Sequence, residues 1–127
     1  MKHELKFYRC NTCGNIITKL QDSHLPVSCC GKEMVLLIAN TTDAATEKHV
    51  PAATRDGNKV KVQVGSVLHP MTEEHHISFI VLAQNGKSQT AILSHTGEPI
   101  AEFLVDDGSA TVYEYCNLHG LWAADVE

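Results

Sequence analysis

Cysteines in the first 30 residues have the spacing of a metal site. Cys10-Asn11-Thr12-Cys13-Gly14 is a C-x2-C knuckle, in which two thiolates can hold one ion while backbone N–H groups donate to sulfur. Gly14 permits the tight turn that follows the second cysteine. Cys29 and Cys30 add two more thiolates, and four thiolates in tetrahedral geometry suit iron or zinc. The sequence therefore predicts a four-sulfur metal site made of Cys10, Cys13, Cys29 and Cys30.

The adjacent pair Cys29-Cys30 leaves two other interpretations of this group open. The short tether between neighbouring sulfurs is expected to distort the tetrahedron, compared with a site built from two C-x2-C knuckles. One alternative is a purely structural zinc ribbon. The other is a disulfide between Cys29 and Cys30, which is disfavoured because it would leave Cys10 and Cys13 unpaired in a reducing compartment.

A second group combines histidines with the one remaining cysteine. Cys116 stands three residues before His119, so that a soft thiolate and an imidazole share one turn and can hold the same ion. Three further histidines are candidate ligands, namely His49, His69 and His75. Their spacing alone does not decide whether they bind a metal or are ordinary residues. The remaining histidines are interpreted as surface or core residues: His3, His24, His76 and His95.

Strand patterns dominate the chain after residue 59. Lys59–Val64 alternates valine with polar residues, as in a half-buried strand, and 77–83 is more uniformly apolar, as in a strand covered on both faces. Asn85-Gly86 is a hairpin signal. Further strands are expected at 89–93, 102–105 and 110–115, with an apolar tail around Trp122 packing back. Six or seven short strands without a ten-residue amphipathic helix indicate an antiparallel β-sandwich.

The first 36 residues differ from the rest in composition. They contain five basic and three acidic side chains, whereas residues 37–127 contain five basic and twelve acidic ones. A segment this short cannot bury a sufficient core and normally needs a metal or disulfide to hold it together. We therefore predict two domains, a metal-stapled module at 1–36 and a sandwich at 37–127, with a polar linking stretch at 40–47.

Composition excludes several classes of function. The net charge of −5 argues against nucleic-acid binding, which would require a basic patch. No apolar run approaches the ~20 residues of a membrane span. The N-terminal residues 1–6 lack the apolar region of a signal peptide, so we expect a cytoplasmic protein. Five cysteines in such a chain indicate metal binding or redox chemistry rather than a disulfide framework.

Several of these pieces together resemble desulfoferrodoxin, the two-iron class of superoxide reductase. The resemblance is carried by Glu47-Lys48-His49-Val50-Pro51, Val64-Gly65-Ser66, His69-Pro70-Met71 with His75, and Cys116-Asn117-Leu118-His119-Gly120. The four N-terminal cysteines resemble the desulforedoxin-like module of that family. This similarity implies that an immunoglobulin-like sandwich follows the module. The sequence departs little from the family pattern, since His76 stands where an aromatic residue is usual and Leu121 follows the glycine.

The resemblance implies two iron sites and one reaction. The catalytic iron would have four equatorial imidazoles and one axial thiolate, supplied by His49, His69, His75, His119 and Cys116. The family spacing selects His75 over His76. The four cysteines would hold the other iron, with zinc as the alternative there. The implied activity is inner-sphere reduction of superoxide to hydrogen peroxide, without release of dioxygen.

Two charged residues and two partners also follow from the resemblance. Lys48 is expected to attract superoxide and to orient a proton-donating water, and Glu47 to occupy the open position of ferric iron. Both can also be read as ordinary solvated loop charges. Rubredoxin is the expected electron donor and a homodimer the expected assembly, with no nucleic-acid or membrane partner.

Three rival functions are consistent with parts of the pattern. A non-catalytic electron carrier would bind no substrate, although a five-ligand site with one open position suits a small molecule better. A purely structural zinc protein would be colourless and redox-silent. A cupredoxin would use Met71 as an axial ligand, but Met71 follows His69 too closely, which favours a packing role for it.

Overall fold

The chain folds into two compact units made almost entirely of β-strands. The computed structural model describes all residues from Met1 to Glu127. The smaller unit is Leu5–Ile38, and the larger comprises Ala39–Glu127 together with Met1–Glu4. No helix is long and apolar enough to span a lipid bilayer.

The smaller unit is built from very short strands: β1 (Phe7–Arg9), β2 (Ile16–Thr18), β3 (Ser28–Cys29), β4 (Lys32–Glu33) and β5 (Val35–Leu36). β1 lies between β2 and β5 in one antiparallel sheet, and β3 pairs with β4 in a hairpin. Only Phe7, Cys10 and Met34 are buried in this unit. Three buried side chains are too few for a hydrophobic core, which agrees with the expectation that the segment depends on a metal.

The larger unit is an antiparallel β-sandwich. Its elements are α1 (Thr46–His49), β6 (Pro51–Asp56), β7 (Lys59–Val64), β8 (Ile77–Gln84), β9 (Lys87–Ile92), β10 (Ile100–Leu104), β11 (Ala110–Cys116) and β12 (Gly120–Val126). One sheet has the strand order β10-β7-β6, and the other has the order β12-β11-β8-β9. Seven strands in two sheets confirm the predicted immunoglobulin-like sandwich.

The core lies between the two sheets and follows the alternation read from the sequence. Val60, Val62 and Val64 on β7 are fully buried, and each contributes about 1.5–3 kcal/mol through burial. Lys59 and Lys61 between them are exposed. β8 is buried from Ile80 to Gln84, and β11 along its whole length, because both strands have neighbours on either side.

Some elements differ from the sequence-based expectation. The first sandwich strand is β6, which pairs with β7 from Pro51↔Val64 to Asp56↔Lys59 and was not predicted, because 51–56 lacks alternation. The segment before it forms one helical turn, α1, rather than a loop. The turn ends at Val50, whose extended backbone is the conformation favoured before proline. β10 begins at Ile100, two residues earlier than predicted.

The antiparallel order brings several chain segments to one end of the sandwich. In one sheet β11 ends there and β8 and β12 begin there, as the pairings Cys116↔Ile77 and Cys116↔Gly120 show. In the other sheet β7 ends and β6 begins at Pro51↔Val64, and the contact of His69 with the Cys116 group places that end beside the first. The segment between β7 and β8, the hairpin between β11 and β12, and α1 before β6 therefore share this end. These three segments contain the second group of candidate ligands.

Candidate metal centres

The four N-terminal cysteines converge on one point within the smaller unit, which we call the cysteine centre. Their sulfur atoms all lie within 4.8 Å of one another. Cys13 Sγ is 3.6 Å from Cys29 Sγ, and Cys29 Sγ is 3.9 Å from Cys30 Sγ. The second distance is far beyond a disulfide bond of about 2.05 Å. All four are free thiols.

Tight turns allow these sulfurs to meet. The knuckle closes with a 2.8 Å hydrogen bond from Gly14 N to Cys10 O, and Gly14 has a φ of 86°, in the region that glycine adopts without strain. After β3 the chain turns through Cys30, with a φ of 55°, and Gly31, with a φ of 73°. The turn keeps both adjacent sulfurs within the centre.

The electrostatics of the cysteine centre call for a cation. The backbone N–H of Cys13 donates to Cys10 Sγ over 3.4 Å and lowers the pKa of this thiol to about 6. The sulfur of Cys13, with those of Cys10 and Cys29, raises the pKa of Cys30 to about 12. Because crowded thiolates repel one another, four of them persist together only around a positive ion. The donor set suits iron or zinc.

The second group converges within the larger unit, and we call it the histidine centre. α1 contributes His49, the segment between β7 and β8 contributes His69 and His75, and the β11–β12 hairpin contributes Cys116 and His119. Their potential ligand atoms lie within 4.8 Å of one another. The structure thus brings together all five residues named from the sequence.

The four imidazoles form a ring in the order His49, His69, His75, His119. Centroids of neighbouring rings are separated by 4.7, 4.5, 5.1 and 4.8 Å, with interplanar angles between 75° and 88°. The rings of His49 and His75, opposite each other, are 6.4 Å apart. Four similar sides with a longer diagonal approximate a square, in which four imidazoles could bind one ion.

Ring nitrogens point into this square. His49 Nε2 lies 3.0 Å from His119 Nδ1 and 3.2 Å from His69 Nε2, and Cys116 Sγ lies 3.8 Å from His119 Nδ1. His75 Nε2 is buried and has no hydrogen-bond partner. A buried nitrogen without a partner is costly unless an ion accepts its lone pair. The residues therefore fit a bound metal.

Hydrogen bonds and burial prepare two rings as neutral ligands. His49 Nδ1 contacts Ala45 O at 2.7 Å, and His69 Nδ1 contacts Pro70 O at 2.7 Å. A ring that donates from Nδ1 keeps the Nε2 lone pair for a metal. Burial lowers the pKa of His69 to about 4 and also lowers the pKa of His49 and of His75. These imidazoles are uncharged at neutral pH, as metal ligation requires.

Cys116 is placed by an irregularity in β11. A bulge between Tyr115 and Cys116 shifts the pairing with β8, and such bulges commonly redirect side chains near functional sites. Cys116 is fully buried, and burial raises the pKa of its thiol, although the N–H groups of Leu118 and His119 act in the opposite direction. A bound cation would hold it as the thiolate.

Glu47 and Lys48 lie in α1 immediately before His49, and both are exposed. Glu47 O accepts hydrogen bonds from Val67 N at 2.9 Å and Ser66 Oγ at 3.2 Å, which fix the turn. Beyond burial and the neighbouring imidazoles, the charge of Lys48 further lowers the pKa of His75. The lysine charge therefore acts on the square of imidazoles.

Other residues read from the sequence lie outside both centres. His76 Nδ1 contacts Thr72 O at 2.9 Å, and His24 and His95 are exposed. His3 contacts Ser109 Oγ at 3.2 Å. Met71 packs against the core and its sulfur accepts from Ile77 N at 3.3 Å, in agreement with a packing role.

Sequence reasoning missed a carboxyl group near the histidine centre. Glu114 is fully buried in β11, two residues before Cys116, and neither carboxyl oxygen has a hydrogen-bond partner. Burial raises the pKa of Glu114 well above its usual value. The signal in the sequence was a single acidic residue inside the otherwise uncharged strand 110–116.

Family comparisons agree with this geometry. The family model described as desulfoferrodoxin matches residues 41–125, and the model of the desulfoferrodoxin N-terminal domain matches residues 2–37. The chain belongs to the desulfoferrodoxin family. A desulfoferrodoxin from Syntrophotalea carbinolica is 46% identical over 125 residues, which cover 98% of this chain and 99% of the relative.

Solved structures extend the family similarity. The superoxide reductase of Treponema pallidum superposes with a TM-score of 0.78 at 35% identity, covering 95% of this chain and 98% of that one. The one-iron superoxide reductase of Giardia intestinalis gives a TM-score of 0.57 at 35% identity, covering 64% of this chain and 98% of that one. The desulfoferrodoxin fold thus accounts for both units of the present chain.

Proposed function

We propose that this chain is a superoxide reductase that converts superoxide to hydrogen peroxide at the histidine centre. The square of four imidazoles with the buried Cys116 sulfur beside it is the observation that carries this function. Iron bound there would supply the electron that superoxide takes up. The five ligands are His49, His69, His75, Cys116 and His119.

The charge of this ligand set favours an anionic substrate. Four neutral imidazoles and one thiolate carry a single negative charge, so a divalent or trivalent ion keeps a net positive charge at the site. The surrounding chain is acidic, with a net charge of −5. Superoxide must therefore be attracted by a local positive field rather than by that of the whole protein.

We assign that local field to Lys48. Its side chain is exposed and forms no ion pair, and it directly precedes the ligand His49 in α1. Reduction of superoxide to hydrogen peroxide consumes one electron and two protons. An exposed ammonium group beside the imidazoles can order the water that delivers a proton.

Glu47 has a different proposed role. Its main chain is anchored to 66–67, whereas its side chain is exposed. We propose that this carboxylate occupies the open position once the product has left. A carboxylate there would keep other anions out until the next reduction.

The two units have separate tasks in this proposal. The module predicted at 1–36 corresponds to the compact unit Leu5–Ile38, whose cysteine centre binds iron. The sandwich predicted at 37–127 corresponds to the larger unit, which also includes Met1–Glu4 and is catalytic. The cysteine centre need not take part in catalysis, because the histidine centre contains every ligand that the reaction requires. The free thiols suit a reducing compartment such as the cytoplasm.

We further propose a homodimer and rubredoxin as the electron donor. The smaller unit exposes apolar side chains that a second copy could cover: Leu25, Val35, Leu36 and Ile38. Exposed apolar groups on so small a unit are typical of association surfaces. Sedimentation equilibrium tests the dimer, and anaerobic titration with reduced rubredoxin tests the donor.

Pulse radiolysis tests the proposed activity. Pre-reduced, iron-loaded protein should remove superoxide at a rate proportional to protein concentration, with parallel oxidation of the histidine centre. Azide or cyanide should shift its spectrum, which an electron carrier without an open position would not show. A centre that is oxidised no faster by superoxide than by dioxygen would contradict the proposal.

A further inference from the structure

Two of the imidazoles in the histidine centre are oriented by main-chain carbonyl oxygens, and His75 is not. Ala45 O and Pro70 O lie 2.7 Å from Nδ1 of His49 and of His69. The buried Nε2 of His75 has no hydrogen-bond partner. The placement of this ring therefore depends on the backbone that carries it.

Hydrogen bonds with Thr72 shape that backbone without anchoring it. His75 N donates to Thr72 Oγ1 over 3.1 Å, and Thr72 N donates to His75 O over 2.9 Å. Both bonds stay within one exposed segment, where Glu73 and Glu74 face solvent. They close a turn but do not fix its distance from the other ligands.

The pairing of Ile77 with Cys116 holds the chain two residues after His75, and Asn117 adds side-chain hydrogen bonds around His75 itself. Its Oδ1 accepts from His76 N at 2.9 Å, and its Nδ2 donates to Glu74 O over 2.9 Å. Its own backbone N donates to His76 O over 3.2 Å. The amide thus bonds to the chain on both sides of His75, and Asn117 itself directly follows Cys116.

We propose that Asn117 is the positioning residue of His75. Its side chain locks the exposed segment that carries His75 to the hairpin that carries Cys116 and His119, so that three ligands move as one body. This inference rests on the proposed function only in that the histidine centre binds iron. Removing groups that orient metal ligands typically weakens metal binding ~10–100-fold.

Asn117→Ala in the full-length, iron-loaded chain tests this role. Iron release to an excess of chelator is followed through the loss of the thiolate-to-iron absorption. We expect release about 10–100 times faster than from the unaltered protein. Cobalt(II) in the same site should show a ligand-field spectrum changed toward lower coordination, because His75 leaves first.

Gln84→Ala is the matched control. Gln84 is another side-chain amide that holds a loop. Its Nε2 donates to Asp106 O at 2.9 Å and to Gly108 O at 3.1 Å, and its Oε1 accepts from Asp106 N at 2.8 Å. It contacts no ligand segment. We expect iron release within about twofold of the unaltered protein, even though stability falls as buried hydrogen bonds are lost.

The outcomes separate the possible explanations. Unchanged iron release and an unchanged cobalt spectrum in Asn117→Ala would overturn the proposal, as would equally fast release from Gln84→Ala. If Asn117→Ala does not fold, Asn117→Asp decides, because it keeps the acceptor for His76 N and loses only the donor to Glu74 O; it must accelerate release more than Gln84→Glu does. An unaltered protein that binds no iron at the histidine centre would instead refute the proposed function.

Discussion

Gly65 offers a sharp test of how the turn with Glu47 and Lys48 is positioned. A Cβ atom added at Gly65 would lie 2.6 Å from Glu47 O, 2.9 Å from Val50 O and 3.0 Å from the carbonyl carbon of Lys48. All three neighbours are backbone atoms, so no side chain can rotate away. Gly65→Ala must therefore displace α1 itself.

The size of the displacement follows from these contacts. To reach an ordinary contact distance of about 3.4 Å, the carbonyl of Glu47 must move by about 0.8 Å. Overpacking of this kind costs about 1–3 kcal/mol of stability. A misplacement of about 1 Å can reduce a rate by about 100-fold. We expect the second-order reaction of Gly65→Ala with superoxide to slow by about 10–100-fold.

Pulse radiolysis on iron-loaded Gly65→Ala measures this rate, with iron content determined on the same sample. Gly97→Ala is the control, because a Cβ there would meet only Ser94 O at 3.5 Å and Gly97 lies outside the left-handed region. The reasoning would be refuted if the two variants, equally loaded with iron, reacted at the same rate as the unaltered protein.

Three other substitutions test individual roles. Lys48→Ile should slow the reaction with superoxide by about tenfold and weaken its salt dependence, and an unchanged rate in pulse radiolysis would defeat the assigned role. Cys116→Ser should abolish both the thiolate-to-iron absorption and turnover; a variant that keeps turnover would exclude the thiolate as an essential ligand. Cys13→Ser should lose the four-sulfur chromophore yet keep superoxide reduction, and complete loss of activity in a folded, iron-loaded protein would contradict the division of labour.

The strands of the core could be predicted because the pattern of apolar and polar residues in the sequence indicates which side chains are buried. Lys59–Val64 alternates in the sequence and in burial, and the apolar run from Ile77 is covered on both faces. β6 was not predicted because residues 51–56 do not alternate between apolar and polar side chains, and the strand forms by pairing with β7. α1 was not predicted because a single helical turn is too short to show a helical periodicity of apolar residues.

The histidine centre could be named from the sequence only through family resemblance. Spacing alone indicated only Cys116 and His119 as ligands, since a separation of three residues places both side chains on one turn of the chain. Long-range pairing of β8 with β11 decides whether His75 meets them, and no local pattern encodes that pairing. The hydrogen bonds of Asn117 could not be predicted for the same reason, since its side-chain amide contacts a residue 41 positions away in the sequence.

The products of superoxide consumption test the central claim most directly. Reduced, iron-loaded protein should yield one hydrogen peroxide for each superoxide consumed and release no dioxygen, while the histidine centre is oxidised in equal amount. Release of dioxygen, with half as much peroxide and no net oxidation of the centre, would show dismutation and contradict the account.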